Sequence, residues 1–445
     1  MQKKIIILCT VILIVVMEAL FALIGALMPG PFTGTVTDAE TNEPIANVSV
    51  SDGRNVVKTD ENGAYTLPGY SKSRFVTVTT PAGYWTENYY IPVTKDRETY
   101  DFRLDKSEKT AQADHSFLQI SDSEIGAKGV GAWIEHVRDT VKETDPAFLI
   151  HTGDICYEDG LKQHIKDMNT ENMGVPVRYV IGNHDYVAGK YGEALFESIY
   201  GPVWYSFDVG NVHYVVTPFQ TGADYASGYN KNDRWKWLEN DLANVEPGMK
   251  VVMFNHTKAP SDDYVLSYGL KKLDLKEHDL IAWVYGHYHY NYITETDGVL
   301  NISTGRPDCG GIDSSASGSR LISITANGQV STQMYYYDFE QPQAPDGANW
   351  SAQLEGNLLF ADPLAVGNQI FAATVDDDYP RTCGVYSLNA ADGSVNWFFK
   401  TLNSVKNKLV YANGKIVAQD CEGTVYCLNA ETGALLWQKK VDLGG

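Results

Sequence analysis

The chain has 445 residues and a formal net charge of −21 at pH 7. This length predicts roughly two to four domains, and the acidic balance argues against binding to a nucleic-acid backbone, which requires a basic surface. Cys9 lies in an apolar leader and leaves an odd number of other cysteines, so no disulfide framework is predicted.

Residues 1–28 carry Lys3 and Lys4 ahead of an apolar run that only Glu18 interrupts. A short positive head followed by an apolar run predicts an export signal, and this run is long enough to span a bilayer. Two alternatives remain open, an uncleaved membrane anchor and a signal peptide that is removed. In both, the rest of the chain is expected outside the cytoplasm, either anchored and facing outward or periplasmic or extracellular.

Residues 32–104 consist of short alternating runs separated by turn residues such as Asp52-Gly53 and Asn62-Gly63. This pattern predicts a small antiparallel β-sandwich. The segments Gly-x-Val-x-Asp, Pro-Ile-Ala-x-Val-x-Val-Ser-Asp-Gly and Thr-Asp-x-x-Gly-x-Tyr resemble the carboxypeptidase-regulatory-like domains. The expected role is that of a spacer or packing partner, with sugar binding as the alternative.

Residues 115–340 contain five apolar runs, each of which predicts a buried strand that ends in Asp, Asn or His. These runs and their polar ends are residues 117–124, 148–154, 175–185, 250–256 and 281–289. Because α/β folds place their chemistry at the carboxyl ends of strands, the five polar ends are expected to form one site.

The ordered set of polar ends resembles the calcineurin-like metallophosphoesterase family. It consists of Asp122-x-Glu124, Gly153-Asp154 with Gly160, Gly182-Asn183-His184-Asp185, His256 and Gly286-His287-Tyr288-His289. The resemblance implies two divalent cations, with Mn, Fe, Zn and Mg all open, bridged by Asp154. It assigns Asp122, Asp154 and His289 to the first cation and Asp154, Asn183, His256 and His287 to the second.

The resemblance also implies catalytic roles for two residues that are not ligands. His184 would meet the phosphate and protonate or stabilise the leaving oxygen, and Asp185 would fix the tautomer of His184.

Glu124 departs from the family pattern, which usually has histidine two residues after the first aspartate. A glutamate ligand adds negative charge and favours Mn or Mg over Zn at that position. We expect Glu124 to be a ligand of the first cation. The alternative is that it points to solvent and that this cation lacks a ligand.

Other polar residues give weaker signals. His151 and His213 are predicted to be core residues, whereas His115, His136, His164 and His278 are expected on the surface. The loop residues Asp224, Tyr225, Tyr229 and Arg306 are candidates for the rim of a substrate pocket. Arg306 is expected either to clamp a phosphate or to lie on the surface.

Residues 385–397 recur as residues 425–437, with a period of 40. The repeat resembles the quinoprotein-type β-propeller blade, and a propeller usually closes with four to eight blades. Only about two blades fit in residues 349–445. We therefore expect an incomplete propeller in a sequence that is truncated relative to its gene.

Together these patterns predict a multidomain protein. It has a small sandwich (32–104), an α/β four-layer domain in which helices flank two sheets (115–340) and an incomplete propeller (349–445). The predicted function is an exported phosphoric ester hydrolase that attacks a small phosphomonoester or phosphodiester with a metal-bridged hydroxide. The alternative is a non-catalytic surface scaffold with a degenerate metal core, which binds through its sandwich and propeller. In either case the propeller could bind a protein partner.

Overall fold

The computed structural model describes residues 30–124, 130–218, 223, 225–307, 317–337, 346–356, 358, 361–376, 378 and 382–441. The predicted leader at residues 1–28, together with Cys9 and Asp224, lies outside the described residues. Among the helices in those ranges, none is long and apolar enough to cross a membrane.

The first domain is a pair of four-stranded sheets, with strand orders β4-β1-β8-β6 and β3-β2-β5-β7. Its strands are β1 (Phe32–Asp38), β2 (Ser49–Ser51), β3 (Val56–Lys58), β4 (Ala64–Leu67), β5 (Phe75–Val78), β6 (Tyr84–Trp85), β7 (Tyr90–Pro92) and β8 (Phe102–Lys106). Alternate residues of β1 are buried, as the sequence pattern predicts. The β1–β8 pair is parallel, which departs from the purely antiparallel sandwich that was predicted.

The sandwich packs directly on the second domain. Asp208 donates its backbone N–H to Thr80 at 2.8 Å. The fully buried guanidinium of Arg178 lies 4.1 Å from the ring of Trp85 and 4.2 Å from the ring of Tyr89. A buried cation between aromatic faces is held by cation–π attraction. The sandwich is thus a packing partner of the second domain.

The second domain begins with a short helix, α1 (Glu108–Ala111), and then forms a five-stranded sheet of order β11-β10-β9-β20-β21. Its strands and adjoining helices are β9 (His115–Ile120), α2 (Val130–Thr144), β10 (Phe148–His151), α3 (Tyr157–Asp167), α4 (Thr170–Met173), β11 (Val177–Tyr179), β20 (Gly318–Ile324) and β21 (Val330–Tyr336). The helix α2 buries Trp133, Ile134, Val137 and Val141, which lie at helical spacing.

A second, six-stranded sheet of this domain has the order β12-β13-β14-β17-β19-β18. The elements of this half are α5 (Ala194–Tyr200), β12 (Tyr205–Val209), β13 (Val212–Val216), α6 (Lys231–Leu242), β14 (Lys250–Phe254), β15 (Val265–Tyr268), β16 (Lys271–Asp274), β17 (Leu280–Tyr285), β18 (Tyr292–Thr296) and β19 (Val299–Ser303). Short 3₁₀ turns span Asn183–Asp185 and Leu275–His278. The strands β15 and β16 form a separate hairpin inserted between β14 and β17.

Aromatic side chains fill the layer between the two sheets. Phe117 of β9 stacks on Phe148 of β10 with ring centroids 4.9 Å apart, and it meets Phe254 of β14 edge-on at 5.5 Å. This packing holds the two sheets face to face and confirms the predicted α/β sandwich. It also brings the carboxyl ends of β9, β10 and β14 close together.

Two four-stranded blades follow, which confirms the predicted pair of propeller repeats. Their strands are β22 (Leu364–Val366), β23 (Gln369–Ala373), β24 (Gly384–Asn389), β25 (Val395–Lys400), β26 (Val410–Ala412), β27 (Lys415–Gln419), β28 (Thr424–Asn429) and β29 (Leu435–Lys440). Trp397 of the first blade donates its indole N–H to Ala430 of the second at 3.1 Å. Trp350, ahead of the first blade, makes the equivalent bond to Ala390 at 2.9 Å.

Two of the histidines expected on the surface are buried. His115 lies in β9, where its Nε2 contacts the hydroxyl of Tyr214 at 2.5 Å. His164 lies on the inner face of α3, packed edge-on against the ring of His151. The surface interpretation is wrong for both because α3 and β9 each turn that position toward the core.

Candidate metal centre

The five predicted strands are β9, β10 and β11 in one sheet and β14 and β17 in the other, and their carboxyl ends meet. Neighbouring strands in each set are parallel, so their ends lie on the same edge. Gln119 of β9 donates across to the backbone oxygen of Tyr285 in β17 at 2.8 Å. Beyond it, the N–H of His287 donates to Asp122 Oδ2 at 2.9 Å. The polar ends of both sheets therefore share one site.

Asp154, His256 and His287 form the tightest group, with potential ligand atoms within 4.8 Å of one another. Nε2 of His256 lies 3.0 Å from Asp154 Oδ2 and 3.2 Å from Nδ1 of His287. The other nitrogen of His256, Nδ1, lies 2.8 Å from the carbonyl oxygen of Thr152. That carbonyl can only accept, so Nδ1 carries the proton and Nε2 is left as a ligand atom.

Asp122 links this group to His289. Its Oδ1 lies 3.3 Å from Nε2 of His289 and 3.9 Å from Nε2 of His256. Asp122 is fully buried, and its Oδ2 accepts from the hydroxyl of Ser121 as well as from His287. These contacts fix one carboxylate oxygen and leave the other directed at the histidines.

The buried oxygen Asn183 Oδ1 has no hydrogen-bond donor among the described residues, and Asp122 Oδ1 has only the ion-pair contacts to the histidines. An unpaired buried acceptor is costly unless a cation meets it. Carboxylate, amide and imidazole atoms together are the ligands of a divalent transition-metal or magnesium ion. The residues present thus fit the metal centre that the sequence predicts.

The backbone of the site is unusual. Seven non-glycine residues in its loops have φ between +43° and +71°, namely Asp122, Glu124, Asp154, Cys156, Tyr157, His287 and His289. Such angles are sparsely populated and tend to cluster at functional sites, where the surrounding structure enforces them. The loops thus hold their polar side chains in fixed directions.

Two glycines make the close approach of these loops possible. A Cβ on Gly182 would lie 2.2 Å from Asp154 Oδ1, and one on Gly286 would lie 1.8 Å from Ser121 Oγ. Any side chain at either position would displace a carboxylate that faces the site.

Asp185 does not pair with the His184 ring as predicted. Its carboxylate accepts backbone N–H bonds from Gly182 (2.8 Å), Asp154 (3.0 Å) and Cys156 (2.9 Å), because the 3₁₀ turn directs it back under the loops. Burial, followed by the Asp154 carboxylate, raises the pKa of Asp185 to about 7, and the backbone donors oppose this rise. Asp185 therefore organises the ligand loops.

His184 is half-buried at the site, and its backbone N–H donates to Asp154 Oδ1 at 2.9 Å. The hydroxyl of Tyr157 lies 3.4 Å from its Nδ1. Tyr157 was missed by sequence reasoning, although it lies within the Gly153–Gly160 motif. Its exposed side chain, with 55% of its surface accessible, gave no pattern to detect.

Glu124 pairs with Arg306 instead of pointing to solvent, and its predicted role as a ligand of the first cation stays a prediction. Its Oε2 accepts from Nη2 of Arg306 at 2.7 Å, and both side chains are partly buried. Arg306 is thus brought to the site as the sequence allowed, and Glu124 is its partner.

One residue of the sandwich, Arg74, contacts loop and helix residues of the second domain, and sequence analysis did not predict these contacts. Arg74 lies 3.6 Å from the ring of Tyr191 and 3.8 Å from that of Tyr229. It also pairs with Glu193 at 3.2 Å and with Glu197 at 2.7 Å. Tyr229, which was predicted to rim the pocket, is therefore fixed from the sandwich side, whereas Tyr225 is exposed.

An α/β sandwich that brings carboxylates, an amide and imidazoles to one edge of two sheets defines a metal-dependent phosphoesterase domain. Residues 115–291 match the family model "Calcineurin-like phosphoesterase", and residues 30–107 match "N terminal of Calcineurin-like phosphoesterase". Residues 115–291 are thus similar to the calcineurin-like phosphoesterase family, and the sandwich ahead of them is similar to the N-terminal domain of that family. Residues 316–444 match "Outer membrane protein assembly factor BamB".

Known proteins resemble separate parts of the chain. Tetrathionate hydrolase of Acidithiobacillus ferrooxidans is 27% identical over 116 residues, which cover 22% of this chain. The chain spans 23% of the length of that relative.

Two solved structures are also similar to parts of this chain. A dimetal phosphatase from Danio rerio is 12% identical, covers 49% of this chain and 95% of its own, and superposes with a TM-score of 0.36. BamB from Moraxella catarrhalis is 19% identical, covers 28% of this chain and 31% of its own, and has a TM-score of 0.19.

Proposed function

We propose that this protein is an exported hydrolase of small phosphomonoesters or phosphodiesters that requires two divalent cations. The observation that carries the proposal is the group formed by Asp154, His256 and His287, together with the buried oxygens Asp122 Oδ1 and Asn183 Oδ1 beside it. Such an arrangement supplies nitrogen and oxygen ligand atoms in one buried place.

A pair of bound cations would supply activation of water and neutralisation of the phosphate charge. Asp122 and His289 would hold one cation, and Asn183, His256 and His287 the other, with Asp154 between them. His184 stands beside Asp154 with Nδ1 directed at Tyr157, so its second ring nitrogen can carry a proton to the leaving oxygen. Arg306 adds a planar cationic fork that can bind a phosphate oxygen.

Export rests on the sequence of residues 1–28, where two lysines precede an apolar run. A substrate reached from that side of the membrane would be a small phosphate ester outside the cytoplasm. The two blades, which match the BamB model, offer a surface for a protein partner.

The proposal is tested with Asn183→Ala and His287→Ala, because each removes one ligand. Turnover of an aryl phosphate ester should fall by about a hundredfold or more in both variants, with bound metal reduced. His278→Ala is the matched control, since His278 lies in a 3₁₀ turn away from the ligand group. Undiminished turnover in both ligand variants would contradict the proposal.

A second function is a metal-poor scaffold, and the observation that favours it is the pairing of Glu124 with Arg306, which occupies one of its carboxylate oxygens. Elemental analysis of the purified protein separates the two. Two ions per chain together with turnover support the hydrolase, whereas one ion or none without turnover supports the scaffold.

A further inference from the structure

A cavity of about 200 Å³ lies between α6 and the β15–β16 hairpin. Its apolar wall is formed by Trp235, Leu238, Met253, Leu266, Tyr268 and Trp283. Lys231 and Arg234, from the first turn of α6, also line it. The cavity thus combines an apolar wall with two cations, which suits a ligand with an apolar body and an anionic group.

The cationic side of this cavity stands out in a chain whose net charge is −21. Lys236 and Lys271 each place their Nζ 5.0 Å from the ring of Trp235. Lys236 also pairs with Glu239 at 2.7 Å, which offsets part of the charge. The charged residues that line the cavity itself, Lys231 and Arg234, are both cations, so the cavity attracts anions.

Trp235 provides an independent sign of a ligand. The residue is only 6% exposed, and its indole N–H is buried without an acceptor among the described residues. Trp283, on the opposite wall, instead donates its indole N–H to the carbonyl oxygen of Thr257 at 2.8 Å. A buried donor without an acceptor is costly, and an oxygen of a ligand would satisfy it.

The tip of the hairpin is exposed and apolar. Leu270 is fully accessible at 104%, and Tyr268 is 41% accessible. Lys271 and Lys272 follow directly and are also exposed. Leucine and tyrosine beside lysines form the type of surface that inserts into the boundary between lipid headgroups and acyl chains.

Two strands that carry candidate metal ligands, β14 and β17, also line the cavity. Met253 lies three residues before His256 in the chain, and Trp283 lies four residues before His287. Thr257, which accepts the indole N–H of Trp283, directly follows His256. A ligand in the cavity would therefore lie beside the strands that carry two of the metal ligands.

We propose that the cavity and the hairpin tip bind an amphiphilic phosphate ester, a lipid phosphate presented at a membrane surface. Its phosphate would lie near Lys231, Arg234 and the indole N–H of Trp235, while its chains contact Leu266 and Leu270. This inference goes beyond the proposed function, because it assigns a ligand to a second site on the same domain.

The test is calorimetric titration of the full chain, kept in a non-ionic detergent and freed of metal with a chelator. The probes are dihexanoyl phosphatidic acid, glycerol 3-phosphate as its headgroup alone, and phenyl phosphate as a soluble aromatic ester. The lipid should bind about a hundredfold more tightly than glycerol 3-phosphate, because its chains are removed from water. Phenyl phosphate binding as tightly as the lipid would assign the cavity to a soluble ester and overturn the proposal.

Two variants locate the binding. Leu266→Ala and Leu270→Ser should each weaken binding of dihexanoyl phosphatidic acid by about tenfold. Leu270 is fully exposed, so its variant keeps the test valid even if Leu266→Ala disturbs the hairpin. Leu402→Ser is the matched control, since Leu402 is 69% accessible and lies between the two blades. Unchanged lipid binding in both hairpin variants would also overturn the proposal.

The titration separates this inference from the proposed function. Because metal is absent, failure to bind the lipid removes the lipid site and leaves metal-dependent turnover of an aryl ester standing. Conversely, undiminished turnover in Asn183→Ala and His287→Ala contradicts the hydrolase without affecting metal-free lipid binding.

Discussion

The guanidinium of Arg306 donates to the carboxylate of Glu124 at 2.7 Å, joining the loop after β19 to the loop after β9. Glu124 stands where the calcineurin-like pattern usually has a histidine, so it adds a negative charge beside the ligand group. The positive charge of Arg306 offsets it. The negative charge of Glu124 and the positive charge of Arg306 therefore compensate each other. The overall charge near the ligands stays close to that of a site with histidine.

This compensation predicts coupling between Glu124→Gln and Arg306→Met. Glu124→Gln alone should weaken Mn²⁺ binding by roughly three- to tenfold, because it leaves an unpaired cation near the site. The double variant should recover most of that loss. Calorimetric titration measures the Mn²⁺ affinity of the two single variants and of the double variant. Strictly additive changes in binding free energy would rule out the compensation.

Asp185 and His184 should give different phenotypes although they are adjacent in sequence. Asp185→Asn replaces an acceptor of three backbone N–H groups, so metal affinity should fall by roughly ten- to a hundredfold. His184→Gln should leave metal affinity unchanged and lower turnover by roughly 10²- to 10⁴-fold. Elemental analysis and aryl phosphate turnover distinguish the two. Normal metal content in Asp185→Asn would contradict its role in holding the ligand loops. It would favour the predicted role, in which Asp185 fixes the tautomer of His184.

His213 makes stability depend on pH. Its ring lies between Asp208 at 2.6 Å and Asp241 at 3.0 Å. Burial lowers the pKa of His213, but the two carboxylates outweigh it and raise the pKa to about 10, from a usual 6.5. The charged ring therefore stabilises the fold fully below pH 6.5, and this contribution falls as the pH rises and is lost above about pH 10.

The measurement is the difference in melting temperature between the wild type and His213→Gln across that pH range. The difference should be largest below pH 6.5 and should shrink toward pH 10. His278→Gln serves as control, because it removes an imidazole from a separate 3₁₀ turn, outside the Asp208–Asp241 pair. A constant difference would mean that His213 is neutral in the fold.

Arg74 should be essential to the loops around the site. Arg74→Ala would leave the buried carboxylates of Glu193 and Glu197 without their cation, at a cost of about 3–5 kcal/mol. Arg74→Lys keeps the charge but loses the planar stacking on Tyr191 and Tyr229. Its free energy of unfolding should therefore lie between those of the wild type and Arg74→Ala. Thermal unfolding measures both, with Arg103→Ala as an exposed control. Equal stability of Arg74→Ala and Arg103→Ala would contradict this role.

The strand ends were predictable because each apolar run fixes where a buried strand stops, and a polar residue placed there must face the sheet edge. The convergence of Asp122, Asp154 and His256 followed from this pattern. The direction of Asp185 did not, because a 3₁₀ turn decides which way adjacent side chains point.

The contacts of Arg306 and Arg74 were also beyond local patterns. Arg306 meets Glu124 across 182 positions of the chain, and Arg74 meets Glu197 across 123. Nothing in a local periodicity specifies such pairs. The burial of His164 was missed for a similar reason, since a lone histidine in a polar helix gives no sign of which face turns inward.

Arg178 also limits how the protein can be dissected. A fragment that begins near residue 115 would strip Trp85 and Tyr89 from this guanidinium and open the face of β11 to water. Such a fragment would carry every predicted ligand residue. It would lack the aromatic side chains that pack against β11, one of the strands that lead to a ligand. The domain that carries the candidate metal centre and its N-terminal neighbour are therefore best regarded as one cooperative folding unit, to be expressed, purified and engineered together.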